Sequence, residues 1–203
     1  EPLVYPDFMK VLEYGQSKGF TMSFISNGSL LAEGKGFSTR SAPLVSCIGI
    51  SIDSFNAPTL KQIGRNTNKG KVLDVPKLES FLQECKRQNP EMTIKVNTVV
   101  SKWNQQEPIG SAIKDLGKDY GWSVDKWKIL RAMPFGGDSS YCVTDEEFQR
   151  FVDINTKLCA VNGSIKIVPE ETLEHAYIIV DNRGNLLNNT GGKNVTCGNL
   201  TEV

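Results

Sequence analysis

Leu44–Ile52, LVSCIGISI, is almost wholly apolar and stops at Asp53-Ser54. A short apolar run without polar alternation is the pattern of a strand buried on both faces, which occurs in parallel sheets covered by helices. Upstream, Thr21–Ile25 (TMSFI) is a second β-prone run, and it breaks at once into Ser26-Asn27-Gly28-Ser29. Pro6–Lys18 reads as an amphipathic helix with Phe8, Val11 and Leu12 on one face and Gly19 as its stop signal. Downstream, Val75–Arg87 has helical spacing through Val75, Leu78, Phe81, Leu82 and Cys85, and Asn89-Pro90 closes it.

The alternation continues. Thr93–Val100 (TIKVNTVV) is a strand, a helix lies near Ile109–Tyr120, and Lys126–Met133 (KWKILRAM) is a further strand. Pro134–Ser140 is a Gly-rich loop, and Asp145–Leu158 is a helix with Phe148, Phe151, Val152 and Ile154 turned inward. Ser164–Val168 and Ala176–Val180 are short strands, and DNRGN at Asp181–Asn185 is a turn leading to Leu186-Leu187. Strands alternating with helices predict an α/β fold with parallel βαβ units. There is no internal repeat and no Gly-rich dinucleotide fingerprint. The pattern fits either part of a β/α barrel or a doubly wound sheet.

The chain has 203 residues, 39% of them hydrophobic and 23% charged, with 23 basic against 23 acidic side chains. That is the composition of a globular domain. Zero net charge argues against a nucleic-acid or acidic-membrane partner bound by bulk charge. No apolar run approaches the roughly 20 residues of a transmembrane helix. The chain opens on Glu1-Pro2 without Met, so a piece of a longer protein is expected. The five cysteines, Cys47, Cys85, Cys142, Cys159 and Cys197, are scattered and show no CxxC spacing. They read as free thiols in a reducing compartment. Sequons occur at Asn27, Asn162, Asn188, Asn194 and Asn199, and in so Asn-, Thr- and Gly-rich a chain they read as chance matches rather than a secreted glycoprotein.

In either architecture, ligands bind at the carboxyl ends of the strands. Those ends carry Ser26-Asn27-Gly28-Ser29, then Ser51, Asp53 and Ser54, then Lys95 and Asn97, then Lys128 and Arg131. Lys95 and Asn97 are two residues apart on one strand and so point to one face. With Lys128 on the neighbouring run they would suit a phosphate-rich anion; the alternative for each is solvation or pairing with Asp53 or another carboxylate. IGRNTNKGK at Ile63–Lys71 could cradle an anion, but by itself it reads as a flexible surface loop. His175, the single histidine, has no visible catalytic partner, and no G-x-S-x-G elbow supports a serine triad.

Read in order, ISNGSL, ISIDSF followed by IGR, IKVNTVV with a trailing WN, KWKIL, and AYIIVD ending in LLN form a series. That series resembles the viperin-like radical S-adenosylmethionine enzymes of antiviral defence, from Glu1 to about Gly192. The resemblance implies a partial (β/α)6 barrel, of which residues 1–160 would be the later units. Residues 161–203 would be a C-terminal β extension closing the substrate site. It implies S-adenosylmethionine and a [4Fe-4S] cluster as cofactors. The family's CxxxCxxC loop is absent, so no metal ligand is expected in this chain, and the cluster loop would lie upstream of Glu1.

The resemblance further implies that Glu1, Ser26, Asn27, Ser51 and Arg65 meet S-adenosylmethionine. Ser51 and Arg65 would hold its methionine carboxylate and Glu1 its amino group. Asn27, Lys95, Asn97, Lys128, Arg131 and Tyr177 would meet the substrate. Arg131 departs from the family's usual residue, and Tyr177 would donate a proton or hydrogen. The implied reaction removes the 4′ hydrogen of a ribonucleoside triphosphate, CTP or UTP, and releases the 3′ hydroxyl as water. A monomer with an external electron donor is expected in the cytoplasm, a membrane link through an upstream segment remaining open. Two other readings stand beside this one: another radical S-adenosylmethionine enzyme, such as a peptide-modifying one, and a cluster-free nucleoside-triphosphate-binding module.

Overall fold

The computed structural model describes the chain except Asn68, Phe135, 160–165, 171–177, Asn182, 191–192 and 201–203. It divides into two compact units, Glu1–Pro169 and Glu170–Val203. The sequence placed the division at 160.

In the first unit the helices are α1 (Phe8–Ser17), α2 (Ser29–Ala32), α3 (Ala57–Gln62), α4 (Val75–Gln88), α5 (Gly110–Asp115) and α6 (Asp145–Cys159). The strands are β1 (Ser23–Ser26), β2 (Cys47–Ser51), β3 (Thr93–Val100), β4 (Lys126–Arg131) and β5 (Lys166–Glu170). They form one sheet in the order β1-β2-β3-β4-β5, and the first four run parallel. A doubly wound sheet reverses its strand order at a switch point. Among the described strands the order runs one way, without such a switch point.

β1 to β4 each turn one side into the core. On β3, Ile94, Val96, Thr98 and Val100 are fully buried, while the alternate residues Lys95, Asn97 and Val99 take the other face. Ile48 and Ile50 of β2 and Trp127 and Ile129 of β4 share the apolar face with them. The Trp127 indole and the Thr98 hydroxyl on that face are paired. Trp127 Nε1 donates to Thr98 Oγ1 at 2.9 Å, and Thr98 Oγ1 donates to the Ile52 carbonyl at 2.6 Å, tying the three central strands. β2 is shorter than the apolar run that announced it, because Thr39–Leu44 closes into a 3₁₀ turn.

The helices cover the apolar face. In α4, Asp74 caps the Lys77 amide, Pro76 sits in the first turn, and Leu78, Leu82 and Cys85 are buried at i, i+4, i+7. Asn89 ends it and donates to the carbonyls of Ala42 and Val45. Two expected inward residues face out. In α1 the buried stripe is Phe8, Leu12 and Gly15, which leaves Val11 49% exposed. In α6 it is Phe148, Phe151, Val152, Asn155 and Cys159, which leaves Ile154 exposed. Asn155 is the buried member because its amide accepts from Gly110 N and donates to the Glu107 and Phe151 carbonyls.

The second unit is a small antiparallel sheet, β6 (Ile178–Val180), β7 (Asn185–Thr190) and β8 (Lys193–Asn199), in that order. The expected turn before β7 is present: the Asp181 carboxylate accepts from the amides of Arg183 and Asn185 and from the Asn185 side chain. Those bonds hold the Asp181 carboxyl below its usual range, the Asn185 side chain first among them. Among the described residues no helix is long and apolar enough to cross a membrane.

Candidate functional site

The carboxyl end of β1 is organised by one carboxylate. Glu1 Oε1 accepts from Ser26 Oγ at 2.9 Å and from Leu3 N at 3.3 Å, while Oε2 accepts from Asn27 N at 2.7 Å. Ser26 Oγ in turn accepts from Gly28 N at 3.0 Å, and Asn27 Oδ1 accepts from the amide and hydroxyl of Ser29. Gly28 holds φ at +79°, and an added Cβ would lie 3.3 Å from both Ile50 and Leu73. Only glycine lets the backbone turn here. The small polar cluster is therefore a tightly wired turn at a strand end.

Asn27 and Ser29 form one side of a cavity of about 370 Å³, a size typical of small-molecule sites. Ser51, Ser54 and Arg65 add polar groups, and Phe55, Leu60 and Leu73 supply an apolar wall. The segment Ile63–Lys71, which by itself read as a surface loop, borders the cavity through Arg65, Asn66, Thr67 and Lys71. At its rim Glu33 bonds Lys35, whose hydrogen bond and charge keep the Glu33 carboxyl low.

Arg65 is anchored. Its Nε donates to Asp53 Oδ2 at 2.6 Å. Asp53 is 4% exposed, and its Oδ1 accepts from Val99 N of β3 at 2.7 Å. Its main-chain carbonyl accepts from Asn104 Nδ2 at 2.8 Å. Asn104 is itself fully buried and caps Ser101 N. The sequence offered Asp53 as a strand-end group and as a partner for the lysines, and did not assign Asn104 a role. The available signal was position: both follow directly on the ends of buried strands.

The open face of the sheet carries the second group. The register sets Ser51 beside Asn97, and Asn97 beside Lys128, in one row across β2, β3 and β4. Lys95 stands one step earlier on the same face of β3, beside Gly49. Asn97 is 7% and Lys128 8% exposed, and Lys95 is half-buried. The Asn97 Oδ1 atom is buried without a hydrogen-bond partner. Ser51 belongs both to this row and to the cavity.

Arg131 does not join them. Three residues past Lys128 on the strand, it falls on the opposite face. There it pairs with Asp145 at the start of α6, and its guanidinium lies 4.9 Å above the Phe148 ring. Tyr177 and His175 lie outside the described residues. All five cysteines are free thiols, and among the described residues no three His, Cys, Asp or Glu side chains gather as a metal site.

No family model matches the chain. Among curated proteins it is similar to the S-adenosylmethionine-dependent nucleotide dehydratase of Selenomonas ruminantium, at 31% identity over 98% of this chain and 70% of that protein. It is 34% identical to the protein of that name from Fibrobacter sp. over 77% of this chain, and 24% identical to that from Flammeovirga pacifica over its whole length. Those alignments span 44% and 67% of the two relatives. Among solved structures, the arginine decarboxylase of Paramecium bursaria Chlorella virus is 13% identical over 83% of this chain and 56% of that one, with a TM-score of 0.33.

Proposed function

The chain belongs to the S-adenosylmethionine-dependent nucleotide dehydratases, and on that premise we propose that the whole protein removes water from a ribonucleoside triphosphate. The substrate is CTP or UTP and the product its 3′-deoxy-3′,4′-didehydro analogue. An analogue without a 3′ hydroxyl ends a growing nucleic-acid strand, which gives the reaction an antiviral use. The one-way strand order supports reading the sheet as consecutive units of a partial β/α barrel.

One observation carries the reading for this chain: the orphaned Asn97 oxygen between two lysines. A buried acceptor left without a donor costs roughly 1–3 kcal/mol. A ribose hydroxyl or a base N–H would satisfy it. Lys95 and Lys128, on the same face, supply the positive charge that a triphosphate needs. Holding the phosphates there fixes where the ribose lies.

The cavity beside this row fits S-adenosylmethionine in size and in its mix of apolar wall and convergent polar groups. When bound and cleaved with one electron from the external donor, S-adenosylmethionine would supply the hydrogen abstraction that begins the dehydration. Arg65 and Ser51 would take its carboxylate. The Glu1 carboxylate, which keeps acceptor capacity beyond its three present bonds, would take its amino group. A four-iron cluster does not fit the described residues: the thiols of Cys85 and Cys159 are buried and pushed up by that burial, and no ligand set gathers. No step is therefore routed through one. The free thiols support a reducing compartment such as the cytoplasm. The protein would act as a monomer with an external electron donor, and the proton-donor role expected of Tyr177 lies outside the described residues.

The test uses the full-length protein without oxygen, with reductant, S-adenosylmethionine and each of CTP, UTP, GTP and ATP in turn. A triphosphate lighter by one water, read by mass spectrometry, supports the reading and names the base. Consumption of S-adenosylmethionine with every nucleotide unchanged would overturn the substrate assignment.

A further inference from the structure

Asp53 is a buried carboxylate, and a buried charge is tolerated only when it is paired and hydrogen-bonded. Both of its oxygens are used. Oδ1 takes Val99 N at 2.7 Å, and Oδ2 takes Arg65 Nε at 2.6 Å. The choice of Nε matters. A guanidinium carries five N–H donors, one on Nε and four on its two terminal nitrogens. Binding Asp53 through Nε leaves the terminal nitrogens as the pair available to a ligand, and Arg65 lines the cavity beside Ser51 and Asn27.

An arginine side chain with rotational freedom loses much of its binding energy in being ordered. Here that ordering is already done, because the Nε bond fixes the plane of the fork. Its reference point is β3: Asp53 is held by Val99 N and, through its carbonyl, by Asn104 in the turn after that strand. β3 also carries Lys95 and Asn97.

From this geometry we propose that Asp53 is a positioning residue: it aims the two terminal nitrogens of Arg65 at the carboxylate of S-adenosylmethionine and sets that contact in register with β3. The proposal rests on the reading of the cavity as the S-adenosylmethionine site. Asp53 touches neither ligand; it acts through Arg65.

The experiment measures affinity of the full-length protein for S-adenosylmethionine and for its decarboxylated analogue, which lacks the group Arg65 would bind. In the wild type the carboxylated ligand binds more tightly. Asp53→Asn is expected to lower its affinity roughly tenfold or more, as loss of a charge-assisted, preorganised contact does, and to leave the analogue's affinity nearly unchanged. Arg65→Ala combined with Asp53→Asn is expected to bind no worse than Arg65→Ala alone, since the two residues act as one unit. Equal weakening of both ligands, or additive effects in the double variant, would mean that Asp53 merely holds the β2–β3 junction, and the proposal falls. Arg65→Lys reads the same idea without touching Asp53: a lysine cannot bond Asp53 and fork a carboxylate at once. If Arg65→Lys keeps full discrimination between the ligands, the proposal also falls. A wild-type protein that binds neither ligand overturns the reading of the cavity itself, an outcome distinct from the other two.

Discussion

Asn97 of β3 and Lys128 of β4 stand directly beside each other in the parallel register, both more than nine-tenths buried on the open face of the sheet. With Lys95 two residues before Asn97 on the same face, the row presents two positive charges to an anionic ligand. Lys128→Ala and Lys95→Ala are each expected to weaken nucleoside triphosphate binding well over tenfold. The same variants should bind the parent nucleoside, which lacks phosphates, nearly as the wild type does. Titration calorimetry with both ligands checks this, and equal losses for the two would remove the lysines from the phosphate site.

Asn97 gives a trade between folding and binding. Its unsatisfied Oδ1 is a standing cost in the ligand-free chain. Asn97→Val puts a β-branched apolar side chain on a strand and removes the orphaned acceptor. Without ligand, stability should hold or rise by about 1 kcal/mol. Triphosphate affinity should fall. Urea unfolding together with a binding titration reads both, and a variant that loses stability while binding normally would contradict the assignment.

This much of the site was legible because β3 keeps strict alternation. In TIKVNTVV, the two-residue period alone puts Lys95 and Asn97 on one face and Ile94 and Val96 on the other. The same parity places Arg131 opposite Lys128, but grouping the two as cations interrupting one apolar run hid it. The Asp53–Arg65 pair was not legible, because α3 lies between the partners and only the fold brings them together. Neither was β8, whose KNVTCGN carries only Val195 and Cys197 as apolar alternation. It is ordered by pairing with β7. Val11 and Ile154 were misplaced for a third reason. A helix turns 3.6 residues per turn, so a residue near the buried stripe can still face water when a better-placed neighbour fills the core.

Gly28 is expected to resist any side chain. At φ +79° an L-residue costs roughly 1–2 kcal/mol, and the new Cβ would press on Ile50, Leu73 and Leu78 at 3.3 to 3.4 Å. Gly28→Ala should therefore lower the urea midpoint, and it should weaken S-adenosylmethionine binding by disturbing Asn27 and Ser29 on either side of it. An unchanged midpoint would mean that the turn relaxes freely and is not a fixed part of the wall.

The thiols set an alkaline limit on stability. Burial pushes Cys85 up to about 12 from its ordinary 9.0, and it raises Cys47 and Cys159 in the same direction. The folded chain keeps a proton that the unfolded chain releases near pH 9. The contribution is therefore complete below that value and is lost as pH climbs toward 12. One such group changes the slope of stability against pH by at most ~1.4 kcal/mol per unit. Cys85→Ala should flatten the decline between about pH 9 and 10.5 by up to one proton's worth, read from urea midpoints across that range. At neutral pH the same burial should shield Cys85 from alkylation while the exposed Cys197 reacts first. An unaltered slope in Cys85→Ala, or early labelling of Cys85, would show that α4 opens before the thiol ionises and that the fold does not protect it.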